Sequence, residues 1–269
     1  MLRYELLRRL IAGSLGRFAF EPMISDLQYR ILKTIRPQVS DERSSSAYSG
    51  KSKLQTLLGD KFLRTIQGKT VLDFGCGGGA EAVEMALAGT ARVIGLDIRE
   101  EVLGPARERA LRAGLAAKCS FAISTEERAD VVVSLDAFEH FADPAAILQI
   151  MNELLVPGGE VFISFGPTWY HPLGGHLFSV FPWAHLLFRE EALIRWRSDF
   201  KTDGATRFHE VAGGLNGMTI RRFAELVQAS HFMLTSLELV PIRKLRLFHN
   251  RLTREFTTAI VRCQLTKTT

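Results

Sequence analysis

Asp73 stands two positions ahead of Gly75 in the stretch VLDFGCGGGA, and four glycines with one cysteine fill the turn that follows. A glycine-rich turn lets a bulky ligand approach the main chain closely, because no Cβ intervenes. Two ligand chemistries compete for it. Gly75, Gly77 and Ala80 satisfy a dinucleotide-type spacing, with Asp97 twenty residues beyond Gly77 to accept ribose hydroxyls. Asp73 opposes that reading, since a carboxylate just ahead of the turn would repel a pyrophosphate. A cationic ligand reverses the sign: an acid beside the glycines can hold an ammonium group directly or through water.

Further downstream, Asp136, Glu139 and His140 form an acid-x-x-Glu-His array. Oxygen ligands of this kind suit Mg²⁺, but two carboxylates and a histidine are common without a metal, so no metal is assigned. The segment GPTWYHPLGGHLFSVFPWAHLLF then offers Trp169, Tyr170, Phe178, Phe181, Trp183 and Phe188 as an aromatic surface, with His171, His176 and His185 as polar points. Such a wall suits a mostly apolar small molecule. Burial of the segment against its own domain would explain most of the same aromatics.

These residues need elements to hold them. From Thr70 the chain alternates short apolar runs with helical stretches, the sign of a parallel sheet covered on both faces. KTVLDFG, ARVIGLDI, KCSFAIS, ADVVVSLDAF and EVFISFG read as five strands. The intervening helices carry local signals: Gly89 as a left-handed stop, Pro105 early in the second helix, and Asp143 with Pro144 as cap and first helical residue, ahead of a stop at the turn VPGG. An insertion at 167–215 interrupts the rhythm, with Gly174 and Gly175 as candidate lid hinges. A helix capped by Thr219, a strand LTSLELVPI and a closing strand EFTTAIVRCQL, with Phe256, Ala259 and Val261 alternating, complete the chain. Residues 1–68 are expected to be a helical extension packed over the sheet, with SDERSSSAYSGKSK as a joint, and residues 69–269 the main domain.

Bulk properties narrow the classes. The chain has 269 residues, 46% hydrophobic, and no apolar run reaches the ~18 to 20 residues that a membrane-spanning helix needs. The first twenty residues read as an ordinary or amphipathic helix rather than a signal peptide, and three widely spaced cysteines suit a reducing, cytoplasmic setting. The net charge of +5 is concentrated: from Pro241 onward seven Lys or Arg face Glu255 alone, so the first 240 residues sum to −1. No nucleic-acid module is recognisable, and nucleic acid is not an expected partner. The basic carboxyl-terminal region and the Arg-rich first helix would suit weak contact with an anionic membrane.

An acid followed by G-x-G-x-G, then GLDI, ADVVVSLDAFEHFADP and LLVPGGEVFIS in order, resembles the class I S-adenosylmethionine-dependent methyltransferases over roughly residues 69–166. The pair Glu139-His140 is similar to one found in the ubiquinone and menaquinone biosynthesis type. This resemblance implies a Rossmann-like α/β fold, a doubly wound and mostly parallel seven-stranded sheet with an antiparallel last strand. It also implies S-adenosylmethionine as cofactor and a small-molecule methyl acceptor. Asp73 and the main chain of Gly75, Cys76, Gly77 and Gly79 would face the methionine end, Asp97 the ribose and Ile98 the adenine, with Asp136 bordering the cofactor. His140, Tyr170 and His171 become the candidate base or positioning groups for an oxygen acceptor. The family's usual acid after the third strand is missing from AISTEERAD, which leaves either Ser124, Thr125 or Glu126 to take that contact or the contact unmade.

Overall fold

The computed structural model describes residues 14–36, 52–211 and 214–268, with the side chains of 14–22 left aside. Most of the expected joint before Lys53 and of the amphipathic segment at the start lies outside these residues. The described residues fall into two compact units, one of 14–36 with 172–211 and 214, the other of 52–171 with 215–268.

In the smaller unit, α1 (Ser14–Ile35) lies against a helix Glu190–Ser198. The buried Trp196 donates from its indole to the carbonyl of Arg36 at 3.0 Å, and the Arg195 guanidinium sits 4.1 Å from the Tyr29 ring centre. Phe178 is buried against Phe208, and His185 is buried with its Nδ1 3.2 Å from Ser179 Oγ. Part of the aromatic and histidine content of the insertion therefore makes this unit's own core. The first helix groups with the insertion in one compact unit.

The larger unit opens with α2 (Lys53–Leu57) and α3 (Gly59–Thr65), whose Leu54, Leu57 and Phe62 are buried beside the sheet. The sheet and its helices follow as β1 (Thr70–Phe74), α4 (Ala80–Leu87), β2 (Arg92–Leu96), α5 (Glu100–Arg112), β3 (Cys119–Ala122), β4 (Ala129–Leu135), α6 (Pro144–Glu153), β5 (Leu155–Phe165), α7 (Ile220–Gln228), β6 (Phe232–Pro241) and β7 (Thr258–Lys267). The spatial order is β3-β2-β1-β4-β5-β7-β6. All pairs are parallel except those made by β7, which runs against both β5 and β6. This is the expected seven-stranded, doubly wound sheet.

Alternation along each strand feeds two cores. Val71, Val93, Val131 and Val133 pack toward Ala82, Met85, Leu103 and Ala106, while Leu72, Ile94, Val132 and Ile163 pack toward Leu148, Met151, Phe223 and Val227. Asp143 accepts from the amides of Ala145 and Ala146, and Thr219 from that of Arg222, so both caps act as their sequences suggest.

Two boundaries differ from the sequence reading. β5 begins at Leu155, ahead of the VPGG turn, because an irregularity opposite Ala129 and Val131 absorbs the Pro157-Gly158-Gly159 kink. The closing strand begins at Thr258, since Arg254–Thr257 forms a helical turn, so Phe256 stands outside it and Val261, Cys263 and Leu265 supply the buried alternation.

Candidate functional site

The glycines after β1 divide into two jobs. A Cβ on Gly75 would lie 2.7 Å from that of Ala137, and one on Gly79 would lie 2.9 Å from Ala106 and Phe121, so these two are required by packing. A Cβ on Gly77 or Gly78 would meet nothing closer than 3.9 Å. The open side of the turn is therefore at Gly77 and Gly78. The amides of Gly75 and Cys76 both donate to the Leu96 carbonyl, at 2.8 and 2.9 Å, which ties the turn to β2. Cys76 is buried, and burial pushes its thiol well above the ordinary range, so it is a packing residue whose main chain alone belongs to the turn.

Asp73, at the carboxyl end of β1, is 3% exposed, and its Oδ2 has no hydrogen-bond partner among the described residues. Burial, then the neighbouring charge of Glu81, raise its carboxyl to about 8 against an opposing pull from Lys53. A buried acceptor left without a donor is costly unless something else supplies one.

Asp97 closes β2, and both of its oxygens are engaged. Oδ1 accepts from the Arg99 amide at 3.0 Å and Arg99 Nε at 3.1 Å; Oδ2 accepts from the Gly77 amide at 2.9 Å and Arg99 Nη2 at 3.1 Å. Burial alone would raise its carboxyl, but these hydrogen bonds and the Arg99 charge outweigh it and hold it below the usual range. The side chain thus joins the glycine turn to the start of α5, although the cap position itself is Arg99. Ile98 beside it is 91% exposed, an apolar side chain standing in solvent.

After β4, Asp136 takes a left-handed backbone (φ 49°), and its amide donates to the Ser164 carbonyl at 2.8 Å. Its carboxylate lies 3.2 Å from Lys53 Nζ, which also reaches the Leu135 carbonyl at 3.3 Å and Glu81 at 4.0 Å. Lys53 escapes sequence reading, because α2 brings it to the turn from outside the motif region. Glu139 is buried and orders the loop: Oε1 accepts from the Gly166 amide at 3.2 Å, and its carbonyl accepts from the Asn216 amide at 3.0 Å. Asn216 also donates its side-chain amide to the carbonyls of Phe138 and Phe141, both at 2.9 Å. Burial raises the Glu139 carboxyl to about 8. Asp136 and Glu139 thus face Lys53 and the Gly166 amide respectively.

His140 ends the single helical turn Phe138–His140 after β4, and Tyr170 with His171 follow β5, the strand paired with β4. The turns carrying the three residues therefore leave neighbouring strands at the carboxyl edge. Tyr170 is 37% exposed, with its ring 5.4 Å from that of Phe256, while His171 is buried. In the loop after β3, Thr125 uses its hydroxyl to accept from the Glu127 amide, closing its own turn, and Ser124 and Glu126 are exposed.

The model of a methyltransferase domain matches residues 49–237. Among curated proteins, the ubiquinone biosynthesis O-methyltransferase of Aeromonas salmonicida (strain A449) is 42% identical over 103 residues, which is 36% of this chain and 43% of that protein. That of Serratia proteamaculans (strain 568) is 43% identical over 102 residues, 36% of this chain and 42% of that protein. The chain thus spans less than half the length of these curated relatives. Among solved structures, the [4+2]-cyclase SpnF has a TM-score of 0.51 at 14% identity, covering 78% of this chain and 82% of that one. A sarcosine dimethylglycine methyltransferase homologue from Galdieria sulphuraria has a TM-score of 0.51 at 14% identity, covering 77% and 81%. These structures show a shared fold and, the first being a cyclase, a fold that serves more than one chemistry. The domain match takes in α2, the glycine turn, the Asp97 strand end, β4, β5 and the first part of β6, and on it the chain belongs to the class I S-adenosylmethionine-dependent methyltransferase family.

Proposed function

We propose that the protein moves a methyl group from S-adenosylmethionine to a small, largely apolar acceptor, at oxygen or at an activated carbon. The observation that carries this is Asp73 Oδ2, a buried acceptor without a donor, set beside the open glycines and within reach of the Lys53 charge. An amino-acid end bearing one ammonium and one carboxylate matches that pair in both signs. When bound, the cofactor supplies a methyl group activated on a sulfonium. The chain's share is alignment. Asp73 receives the ammonium, Lys53 answers the carboxylate, Asp97 accepts from the ribose hydroxyls, and Ile98 covers the adenine. Asp136 holds Lys53 in place.

On the acceptor side, His140 takes the proton from an attacking hydroxyl, with Tyr170 and His171 positioning it. The names of the ubiquinone biosynthesis O-methyltransferases favour an oxygen acceptor on a ring. The insertion at 167–215, which leaves β5 at this edge, is assigned to acceptor choice on that attachment alone. All three cysteines are free and buried, which supports a reducing, cytoplasmic setting. No helix among the described residues is long and apolar enough to cross a membrane.

The test is thermal unfolding with S-adenosylmethionine, S-adenosylhomocysteine, NAD or NADH, followed by labelled methyl transfer into phenolic acceptors. A ligand at about one hundred times its dissociation constant stabilises by roughly 2.7 kcal/mol. Stabilisation by the first two alone is expected; a shift with the nicotinamides alone would refute the assignment.

The Arg99 pair adds a prediction of opposite sign. Two of the four hydrogen bonds on Asp97 come from main chain and two from the Arg99 guanidinium, so ribose hydroxyls must displace the guanidinium. The Arg99 side chain is half exposed, and such pairs contribute about 1 kcal/mol or less. Arg99→Ala is therefore expected to tighten S-adenosylhomocysteine binding by roughly threefold, read by calorimetry. Weaker binding would show that Arg99 touches the ligand instead.

A further inference from the structure

The segment joining β6 to β7 carries exposed apolar and cationic side chains together. Leu247 is 96% exposed, Leu252 91% and Phe248 65%. Arg243, Lys244, Arg246, Arg251 and Arg254 are exposed around them, and no ion pair joins any of the five to an acid among the described residues. The only acid of the region, Glu255, is spent elsewhere: its carboxylate accepts from the amides of Ile220 and Arg221, at 3.1 and 2.9 Å, and caps α7.

The segment is built, not slack. His249 Nδ1 lies 2.8 Å from Thr257 Oγ1, Asn250 Oδ1 accepts from the amides of Leu252 and Thr253, and the Arg254 amide donates to the Asn250 carbonyl at 2.9 Å. Two leucines and a phenylalanine are thereby presented to solvent by an ordered turn, although a free molecule in water gains nothing from exposing them.

We infer that residues 243–254 dock this protein onto an anionic lipid bilayer. The chemistry fits in both parts: leucine and phenylalanine enter the headgroup boundary, while the five cations meet acidic headgroups at a gain of about 1 kcal/mol each. Nucleic acid would engage the cations and leave Leu247 and Leu252 in water. A second copy of the same surface would set five cations against five.

The place in the fold gives the contact a use. β7 runs antiparallel to β5, so its first residues lie at the carboxyl end of β5. Phe256 touches Tyr170, and the Thr168 hydroxyl donates to the Glu255 carbonyl at 3.5 Å. The docked surface therefore continues into the turn that bears Tyr170 and His171. An apolar acceptor dissolved in the bilayer would be met at that edge without crossing water.

The full chain is floated with vesicles of phosphatidylcholine containing about one third phosphatidylglycerol at low salt, and with phosphatidylcholine alone. Flotation with the anionic vesicles is expected, at least about tenfold weaker with the neutral ones. The pair Leu247→Asp and Leu252→Asp, and separately the triple charge reversal Arg243→Glu, Lys244→Glu, Arg246→Glu, should each lower the bound fraction at least about tenfold with an unchanged unfolding temperature. Wild-type protein left at the bottom overturns the inference. So does flotation that both variants retain. Binding of a labelled single-stranded oligonucleotide, equal in the leucine variant and without flotation, would assign the surface to nucleic acid and overturn it too. No cofactor enters the assay, so the result is independent of the methyl-transfer proposal.

Discussion

Asp97→Asn is expected to weaken S-adenosylmethionine and S-adenosylhomocysteine binding by about 100-fold, enough to abolish stabilisation by either at concentrations that saturate the wild type. A ribose held through two hydroxyls gives the carboxylate two charge-assisted hydrogen bonds, each of about 1.5 to 3 kcal/mol, and the amide can replace only part of one. The variant also loses charge that the fold uses. Because the Asp97 carboxyl is held below its unfolded value, its contribution to stability is complete above the ordinary carboxylate pKa near 4 and disappears as pH falls through the lowered value. The substitution should therefore destabilise the ligand-free protein at neutral pH, and no longer do so once acid has discharged the wild type. Calorimetric titration and unfolding at two pH values separate the two effects. Unchanged affinity would mean that Asp97 serves only the Gly77 turn and the α5 start, and the ribose assignment would fail.

That prediction was accessible from sequence, whereas the Arg99 prediction beside it was not, and the difference is physical. Asp97 announces itself through a fixed separation from the glycine turn, which the geometry of a strand, a helix and a second strand imposes. Whether Arg99 points toward Asp97 or into water depends on rotamers that leave no periodic trace. Distance along the chain hides other members of the site. Lys53 reaches the Leu135 carbonyl across 82 residues, and Asn216 reaches Phe138 across 78. No local pattern links such partners. The caps at Asp143 and Thr219 were legible because a cap bonds within three residues of itself. The glycine motif was legible as a unit but not by role. Gly75 and Gly79 meet side chains that arrive from the turn after β4, from α5 and from β3, so only the assembled packing separates them from the open Gly77 and Gly78. The helical turn at Arg254–Thr257 was hidden for a related reason: Glu255 serves the N-terminus of α7 from a segment whose apolar spacing resembles a strand.

Asp73→Asn is expected to make the ligand-free protein more stable and the cofactor site useless. Burial, with the charge of Glu81 behind it, lifts the Asp73 carboxyl to about 8. Between the unfolded value near 4 and that raised value the folded chain holds a proton that the unfolded chain has released. Folding stability attributable to this group therefore falls as pH rises from about 4 to about 8 and stays low beyond. Asparagine removes the ionisable group while keeping the shape, so the variant should exceed wild type by about 2 kcal/mol or more at pH 8, shrinking toward zero near pH 4. For a domain of this size that is a rise of several degrees in unfolding temperature. Binding should respond in the opposite sense. An incoming ammonium favours the carboxylate, so at pH 7 the wild type should release close to one proton on taking up S-adenosylmethionine, seen as a dependence of the calorimetric heat on buffer ionisation enthalpy. The variant should bind at least about tenfold more weakly and release almost none. If Asp73→Asn is no more stable at pH 8, the carboxyl is not held neutral by burial. If instead the stability gain appears while binding and proton release match the wild type, the orphaned Oδ2 has some task other than receiving the ammonium. A gain in stability joined to a loss of binding would show that the fold keeps a costly buried acid for its ligand.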